Sequence, residues 1–438
     1  MNKDIIKRII VDFQERGLPE MVSRQLKIKE LRDTVVVITG ARRSGKTYRT
    51  YQYIKNKIND GVSIENICRL QFNDNRLLGL SDLNEIDAAY MELYPEKINT
   101  EEVYYIFDEI HRVPGWEDYV LKLTDNHLNR VVVTGSTSKL LSGDIASALR
   151  GKCYPHNLFP FSFLEYICYK NIEPELTGSK SVSQIKSAFN EYLDCGGFSG
   201  LYGLSAEDRL EMLQNYWDTM LIKDIIEAHP QDRINIEVFE RFAAMLVNRN
   251  ACPMTVRPLV SELKNLGYQT SPDSIYRYLT YLKEAFMIYT VPFFTKSSKK
   301  IDLNYKKVYV IDWALADAVS SGEGMLNSRR LENLVFLHLK QQFKKVSYFK
   351  TRQGYEVDFV VQPSKESAPD LYQVAYNLDD KSVLDREVRS LVKAAEFLGS
   401  KRNYIITLDS EFEIASENGV LIKAIPAYKW ICQGIHNC

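Results

Sequence analysis

The 438-residue chain has almost no net charge, no long apolar run, no paired cysteines and no low-complexity segment, and each absence narrows what it can be. Lys and Arg number 56 against 57 Asp and Glu. No overall field draws such a molecule to nucleic acid or anionic lipid, so any basic surface has to be local. No stretch approaches the ~18 to 20 apolar residues that a membrane-spanning helix needs. The longest candidates are short strand-like runs such as Val35-Val-Val-Ile38. The first twelve residues, Met1-Asn-Lys-Asp-Ile-Ile-Lys-Arg-Ile-Ile-Val-Asp, carry charges where a signal peptide needs its apolar core, and they read as an amphipathic helix. A cytoplasmic location without membrane contact is the expectation. The seven cysteines, at 68, 153, 168, 195, 252, 432 and 438, include no Cys-x-x-Cys pair and no neighbouring histidine cluster. That speaks against both a zinc site and a disulfide framework.

What is present is an ordinary globular composition, 45% hydrophobic and 26% charged, with 27 tyrosines. At ~150 residues per domain, about two to four domains are expected. From about residue 34 to 160, β-branched runs alternate with helical patterns, and the strand candidates are Thr34–Thr39, Ile67–Phe72, Val103–Phe107, Val131–Thr134 and Tyr154–Leu158. Such alternation implies a parallel sheet with helical crossovers, because tight hairpins cannot join parallel strands. Residues 1–170 are therefore expected to form an α/β core with an N-terminal helix, and 171–234 a helical appendage broken at Gly196-Gly197. In 235–320 two amphipathic helices, Val256–Asn265 and Asp273–Ala285, flank Leu266-Gly-Tyr-Gln-Thr-Ser271, and strand-like runs follow at Met287–Phe294 and Lys306–Ile311. That order predicts a winged helix. Residues 321–438 read as a second α/β unit.

Gly40-Ala41-Arg42-Arg43-Ser44-Gly45-Lys46-Thr47 fits G-x-x-x-x-G-K-[ST] and stands between a strand and a helix that begins near Tyr48. The glycines let backbone N–H groups turn toward phosphates, and the helix adds the positive end of its dipole. Lys46 is expected on the β and γ phosphates and Thr47 on a magnesium ion, so ATP and Mg2+ are the expected ligands. The apolar strand Val103-Tyr-Tyr-Ile-Phe ends in Asp108 and Glu109. Asp108 suits a hard cation and Glu109 the proton of an attacking water, which together with the loop point to ATP hydrolysis. On the run Arg130-Val-Val-Val-Thr-Gly-Ser136, Ser136 is the first choice and Thr134 the second for a group that senses the γ-phosphate or orients the water. Arg150, with Lys152 beside it, is a candidate for stabilising transition-state charge, from a neighbouring subunit of a homo-oligomer or from a moving segment.

These motifs, with Phe107-Asp-Glu-Ile-His111, Thr-Gly-Ser-Thr-Ser-Lys-Leu-Leu at 134–141, Leu-Arg-Gly-Lys at 149–152 and Phe-Pro-Phe-Ser-Phe-Leu-Glu-Tyr at 159–166, resemble a large prokaryotic family of AAA-type P-loop ATPases with a C-terminal domain of unknown function 4143. Gly196-Gly-Phe198, Lys223-Asp-Ile225 and Glu356-Val-Asp-Phe-Val360 extend the resemblance over nearly the whole chain. It implies an AAA-like parallel-sheet core, a helical appendage, a winged helix and a restriction-endonuclease-like α/β domain at the C-terminus. Many relatives read Gly-Arg where this chain has Gly151-Lys152, which leaves Arg150 as the arginine-finger candidate.

A magnesium nuclease of that fold would pair Glu332 and Asp358 with a following E-x-K. Here Gln373 and Ala375 stand at the acid and lysine positions, so nuclease activity is not expected and a binding or assembly role is. Arg277 and Lys283 with Tyr276, Tyr278 and Tyr281 on the second helix of the winged segment, and Lys296, Lys299 and Lys300 between its strands, are the candidate DNA contacts. Two functions follow: an ATP-hydrolysing, DNA-associated machine, or a slow nucleotide-gated switch that binds a protein partner through its C-terminal domain.

Overall fold

The computed structural model describes residues 3–97, 99–136, 147–295, 305–320, 325–364 and 366–434. They fall into two compact units: one runs to Pro160 and takes in Glu284–Phe286, the other comprises Phe161–Lys283 and the chain from Met287 onward.

In the first unit, helix α1 (Lys3–Arg16) buries Ile6, Ile9 and Ile10. Strand β1 (Val35–Thr39) leads to α2 (Lys46–Asn59), followed by β2 (Ile67–Gln71), α3 (Asn84–Leu93), β3 (Val103–Asp108), α4 (Trp116–Thr124), β4 (Asn129–Gly135) and β5 (Cys153–Asn157). The strands form one parallel sheet in the order β2-β3-β4-β1-β5. Alternate residues of β1 serve opposite faces: Val35 and Val37 pack with Ile6, Ile86 and Trp116, whereas Val36 and Ile38 pack with Tyr53 and Ile54. Burial on both faces is why these strands read as unbroken apolar runs. The order also puts β4 between the strand feeding the glycine-rich loop and the strand ending in the acid pair. β3 and β4 extend past their apolar runs to Asp108 and Gly135, because pairing with neighbours carries the ladder into the polar strand ends.

The second unit begins with α5 (Phe163–Tyr169), closed at its start by a capping box between Ser162 and Glu165. Helix α6 (Ser179–Cys195) stops at Gly196, and α7 (Ala206–Thr219) runs on into a π-helical segment, Met220–Ile226. Then come α8 (Ile236–Asn248), β6 (Pro253–Met254), α9 (Val256–Asn265), α10 (Pro272–Glu284), β7 (Ile288–Val291) and β8 (Lys306–Val310), with the strands in a small antiparallel sheet ordered β6-β8-β7. After α11 (Trp313–Val319) and α12 (Asn327–Gln342), strands β9 (Val346–Lys350), β10 (Glu356–Val361), β11 (Asp370–Ala375), β12 (Arg402–Thr407), β13 (Phe412–Ala415) and β14 (Leu421–Pro426) form a mixed sheet ordered β13-β14-β12-β11-β10-β9. Helix α13 (Lys381–Leu398) makes the crossover from β11 to parallel β12, and α14 (Ala427–Gln433) follows the sheet.

One joint ties distant parts of this unit. Asp312 caps α11 by accepting the Leu315 N–H at 3.0 Å, and its other oxygen accepts the Gly197 N–H at 2.6 Å. Gly196 sits at φ 75°, and a Cβ there would lie 2.5 Å from Asp312 Oδ1, so the turn requires glycine. Burial pushes the Asp312 carboxyl up to about 6, against the pull of the backbone N–H donors.

No helix among the described residues is long and apolar enough to cross a membrane.

Candidate active site

The loop from Gly40 to Thr47 lies at the C-terminal end of β1, in the first unit. Gly40 has no room for a side chain, since a Cβ would stand 2.1 Å from the Leu158 carbonyl oxygen. Gly45 takes φ 94° and leads directly into α2, and Arg43 also adopts a left-handed backbone at φ 68°. The loop is thus bent into a cradle of main-chain amides at a helix N-terminus. Lys46 is buried and donates to the loop's own carbonyls, Gly40 O and Ala41 O, at 3.1 Å each. Ser44 Oγ is buried with no hydrogen-bond partner among the described residues, so the cradle contains polar capacity that the protein itself leaves unused. Arg42 is half-buried, while Arg43 and Tyr48 are exposed. These features fit a polyphosphate.

Strand β3 delivers the acids to the same place. Thr47 donates its hydroxyl to Asp108 Oδ2 at 2.7 Å, across 61 residues of sequence. Asp108 is fully buried, and its other oxygen accepts the Thr134 hydroxyl at 2.5 Å. Thr134 also accepts the Glu109 N–H at 3.0 Å, so this β4 residue ties both acids. Ser136 donates to Glu109 Oε2 at 3.4 Å, a longer contact. Glu109 holds a left-handed backbone, φ 59° and ψ 36°, which a non-glycine residue adopts only at a cost of ~1 to 3 kcal/mol. Burial on its own would raise the Glu109 carboxyl, but Lys46 at 3.7 Å, then His111, Arg112 and Arg42, outweigh it and hold the group below the usual range. Glu109 is therefore an anion at neutral pH.

Two arginines that sequence reasoning missed border the site. Arg24, in the extended stretch before β1, is 7% exposed and donates to Ser44 O and to Phe159 O, both at 2.7 Å. Arg69 of β2 places a guanidinium nitrogen 3.5 Å from Asp108 Oδ2 and lies over the rings of Tyr51, at 4.4 Å, and Phe13, at 5.5 Å. Neither carries a local motif, since each is defined by partners far along the chain. Arg150 is exposed at φ 50°, and among the described residues nothing joins its side chain to the loop. Lys152 pairs at the surface with Asp125 at 3.4 Å.

The second unit places the C-terminal acids and corrects the reading of α10. The lysine missing from β11 is supplied from elsewhere: Lys307 of β8 is buried among Asp358 at 2.8 Å, Glu356 at 2.9 Å and Glu332 at 3.4 Å. Burial would strip its proton, but Asp358, Tyr309, Glu332 and Glu356 outweigh burial and keep it an ammonium. Burial, then Asp358, raises the Glu332 carboxyl, and Tyr309 donates to it at 2.7 Å. Gln373 joins Asp358 to Glu387, accepting the Asp358 N–H at 3.3 Å and donating to Glu387 at 2.8 Å. Glu332 and Asp358, the pair that a magnesium nuclease would use, thus surround an internal cation. On α10, Tyr278 and Tyr281 are buried and bonded inward, Tyr281 donating to Asp232 at 2.6 Å and Tyr278 accepting the Asn235 N–H at 3.2 Å. They belong to the core rather than to a groove-facing surface, because helical periodicity turns Tyr278 toward α8 and Tyr281 toward His229 and Asp232 while Tyr276 and Arg277 stay exposed. Lys283 is half-buried, and Lys296, Lys299 and Lys300 lie outside the described residues.

Known proteins bear on this geometry. Residues 32–167 match the family model of an AAA domain, and residues 186–326 match a domain of unknown function, DUF8612, where the sequence suggested domain 4143 further toward the C-terminus. The uncharacterized protein MJ1544 of Methanocaldococcus jannaschii is 31% identical over 98% of this chain and 95% of its own length. An uncharacterized protein of Haemophilus influenzae is 27% identical over 83% of this chain and 88% of its own. Among solved structures, a Walker-type ATPase of Pyrococcus abyssi is loosely similar, with TM-score 0.37 and 14% identity over 73% of this chain and 95% of that one. With a relative matched over 98% of this chain at 31% identity, and with the glycine-rich loop, the acid pair and the parallel sheet in place, the chain belongs to one family with MJ1544 and carries an AAA-type P-loop domain.

Proposed function

We propose that the chain binds ATP with magnesium in the Gly40–Thr47 loop and hydrolyses it. The observation that supports this best is the Thr47 hydroxyl on Asp108 at the mouth of the loop, which brings together the hydroxyl and carboxylate suited to a magnesium ion. That ion, when bound, neutralises phosphate charge. Lys46, now on Gly40 O and Ala41 O, exchanges those carbonyls for phosphate oxygens. Glu109, anionic and held by its backbone on Thr134, receives the proton of the attacking water, with Ser136 within reach of the same carboxylate. Arg150 remains the candidate for a charge supplied across a subunit interface. In the second unit we assign 171–234 to a helical appendage, 235–320 to a winged helix and 321–438 to a nuclease-like domain without nuclease activity. DNA contact falls to Tyr276, Arg277 and Lys283, together with Lys296, Lys299 and Lys300.

A second reading, a slow nucleotide-gated switch for a protein partner, is favoured by Lys307 among its acids and by the inward Tyr278 and Tyr281. ATP turnover and nucleotide binding by the wild type and Glu109→Gln, each with and without duplex DNA, separate the two. Turnover lost with binding kept supports Glu109 as the base, and stimulation by DNA that falls steeply with salt selects the DNA machine. Binding without turnover in the wild type, with or without DNA, overturns the hydrolase reading and leaves the switch.

A further inference from the structure

We infer that Arg24 is a positioning residue for the phosphate-binding loop, fixing its shape before nucleotide arrives; this rests on the assignment of that loop to ATP. The Arg24 guanidinium forms two 2.7 Å bonds to carbonyls on either side of the cradle: Ser44 within the loop and Phe159 just beyond β5. Its Nη1 lies 3.0 Å from where a Cβ on Gly45 would stand, so it packs directly under the turn into α2. Arginine suits this task because it never loses its charge and its planar fork serves two acceptors at fixed angles.

The stretch that carries Arg24 is held in return by α2. Arg49 donates to Leu26 O through two nitrogens, at 2.8 and 3.2 Å. Gln52 accepts the Arg24 N–H at 3.0 Å and donates to Arg24 O at 3.2 Å and to Ser23 Oγ at 2.9 Å. His156 of β5 accepts the Lys29 N–H at 3.3 Å. The helix that presents Lys46 and Thr47 thus reaches out to grip residues 23–26, and that stretch returns Arg24 to the loop. These bonds of Arg24, Arg49, Gln52 and His156 run to backbone carbonyls and amides and to Ser23, and α2 meets the acid pair through Lys46 and Thr47. The circuit's energetic effect falls on the geometry of the loop amides, which contact the phosphates that ADP and ATP share, and not on Glu109.

The consequence is a particular split in kinetics. Losing Arg24 lets the loop sample other shapes, so affinity for both Mg-ADP and Mg-ATP drops together while the chemical step at saturation stays close to wild type. The test uses full-length wild type, Arg24→Ala, Arg24→Lys and Gln52→Leu, with fluorescent ADP and ATP analogues for binding and steady-state ATP turnover. Expected are roughly tenfold or greater losses in affinity for both nucleotides in Arg24→Ala, a matching rise in KM with kcat within about twofold, partial rescue by Arg24→Lys and a smaller loss in Gln52→Leu. Should Arg24→Ala fail to fold, Arg24→Lys and Gln52→Leu carry the test alone, and wild-type affinity in both overturns the inference. It is equally overturned if Arg24→Ala folds and binds as wild type, or if kcat falls while KM holds. Absence of nucleotide binding by the wild type would instead sink the ATP assignment itself.

Discussion

Thr134 and Ser136 stand two residues apart at the end of β4, yet their geometry separates them. Thr134 bonds to the Asp108 carboxylate and to the Glu109 N–H, whereas Ser136 reaches Glu109 at 3.4 Å. Sequence alone ranked Ser136 first, because the run past the apolar strand core shows which residues are polar but not which one faces the acids across the sheet. Thr134→Val keeps the shape and leaves a buried carboxylate oxygen and a buried amide each short of a partner. We expect it to lower ATP turnover at least about tenfold more than Ser136→Ala does, as read from kcat of the two variants. The loop and the acid pair were legible because their chemistry is contiguous or sits at a strand end. Arg24 was not, since its partners Ser44 and Phe159 lie 20 and 135 residues away and only the folded sheet brings them together.

Among elements, the strands of the first unit and the helix pair Val256–Asn265 and Pro272–Glu284 were readable from periodicity, but β13, β14 and the approach of Lys307 on β8 to the acids of β10 were not. Lys307 carries no motif of its own, and only the approach of α12 and β10 surrounds it with Glu332, Glu356 and Asp358. This cluster predicts a pH dependence. The Glu332 carboxyl, facing Lys307, Tyr309 and Asp358, is raised from ~4.3 in the unfolded chain to about 7. A raised carboxyl contributes stability that is complete below ~4.3 and is lost as pH climbs through about 7. Glu332→Gln removes that loss. Relative to wild type it should gain stability as pH rises from 4 to 8, and parallel denaturant curves of the two proteins at the two pH values would refute this. The two faces of α10 give a second contrast. Tyr278→Ala should destabilise by ~3 kcal/mol in urea unfolding. Tyr276→Ala, at a position 58% exposed, should leave stability within about 0.5 kcal/mol and alter only partner binding.

For the whole molecule, the division into two compact units means that a ligand of the loop acts first on one of them. Mg-ADP at about 100 times its Kd should stabilise the first unit by ~2.7 kcal/mol, seen in calorimetry as a shift of the transition that carries it; an unshifted scan would argue against nucleotide binding. The near-zero net charge speaks against a global field, but composition carries no information on which distant segments meet. The joint between Gly197 and Asp312 is such a meeting, 115 residues apart. Seen during synthesis rather than in the finished fold, it sets an order of events. The ribosome needs roughly ten seconds to make those residues, and until Asp312 emerges the turn after α6 has no anchor. Phe198, Leu201, Tyr216 and Trp217, all buried at the end, wait through that interval with part of their packing absent. Nascent chains stalled before Asp312 should therefore be cut by protease within this stretch and bound by chaperones, and chains stalled well beyond it should resist both.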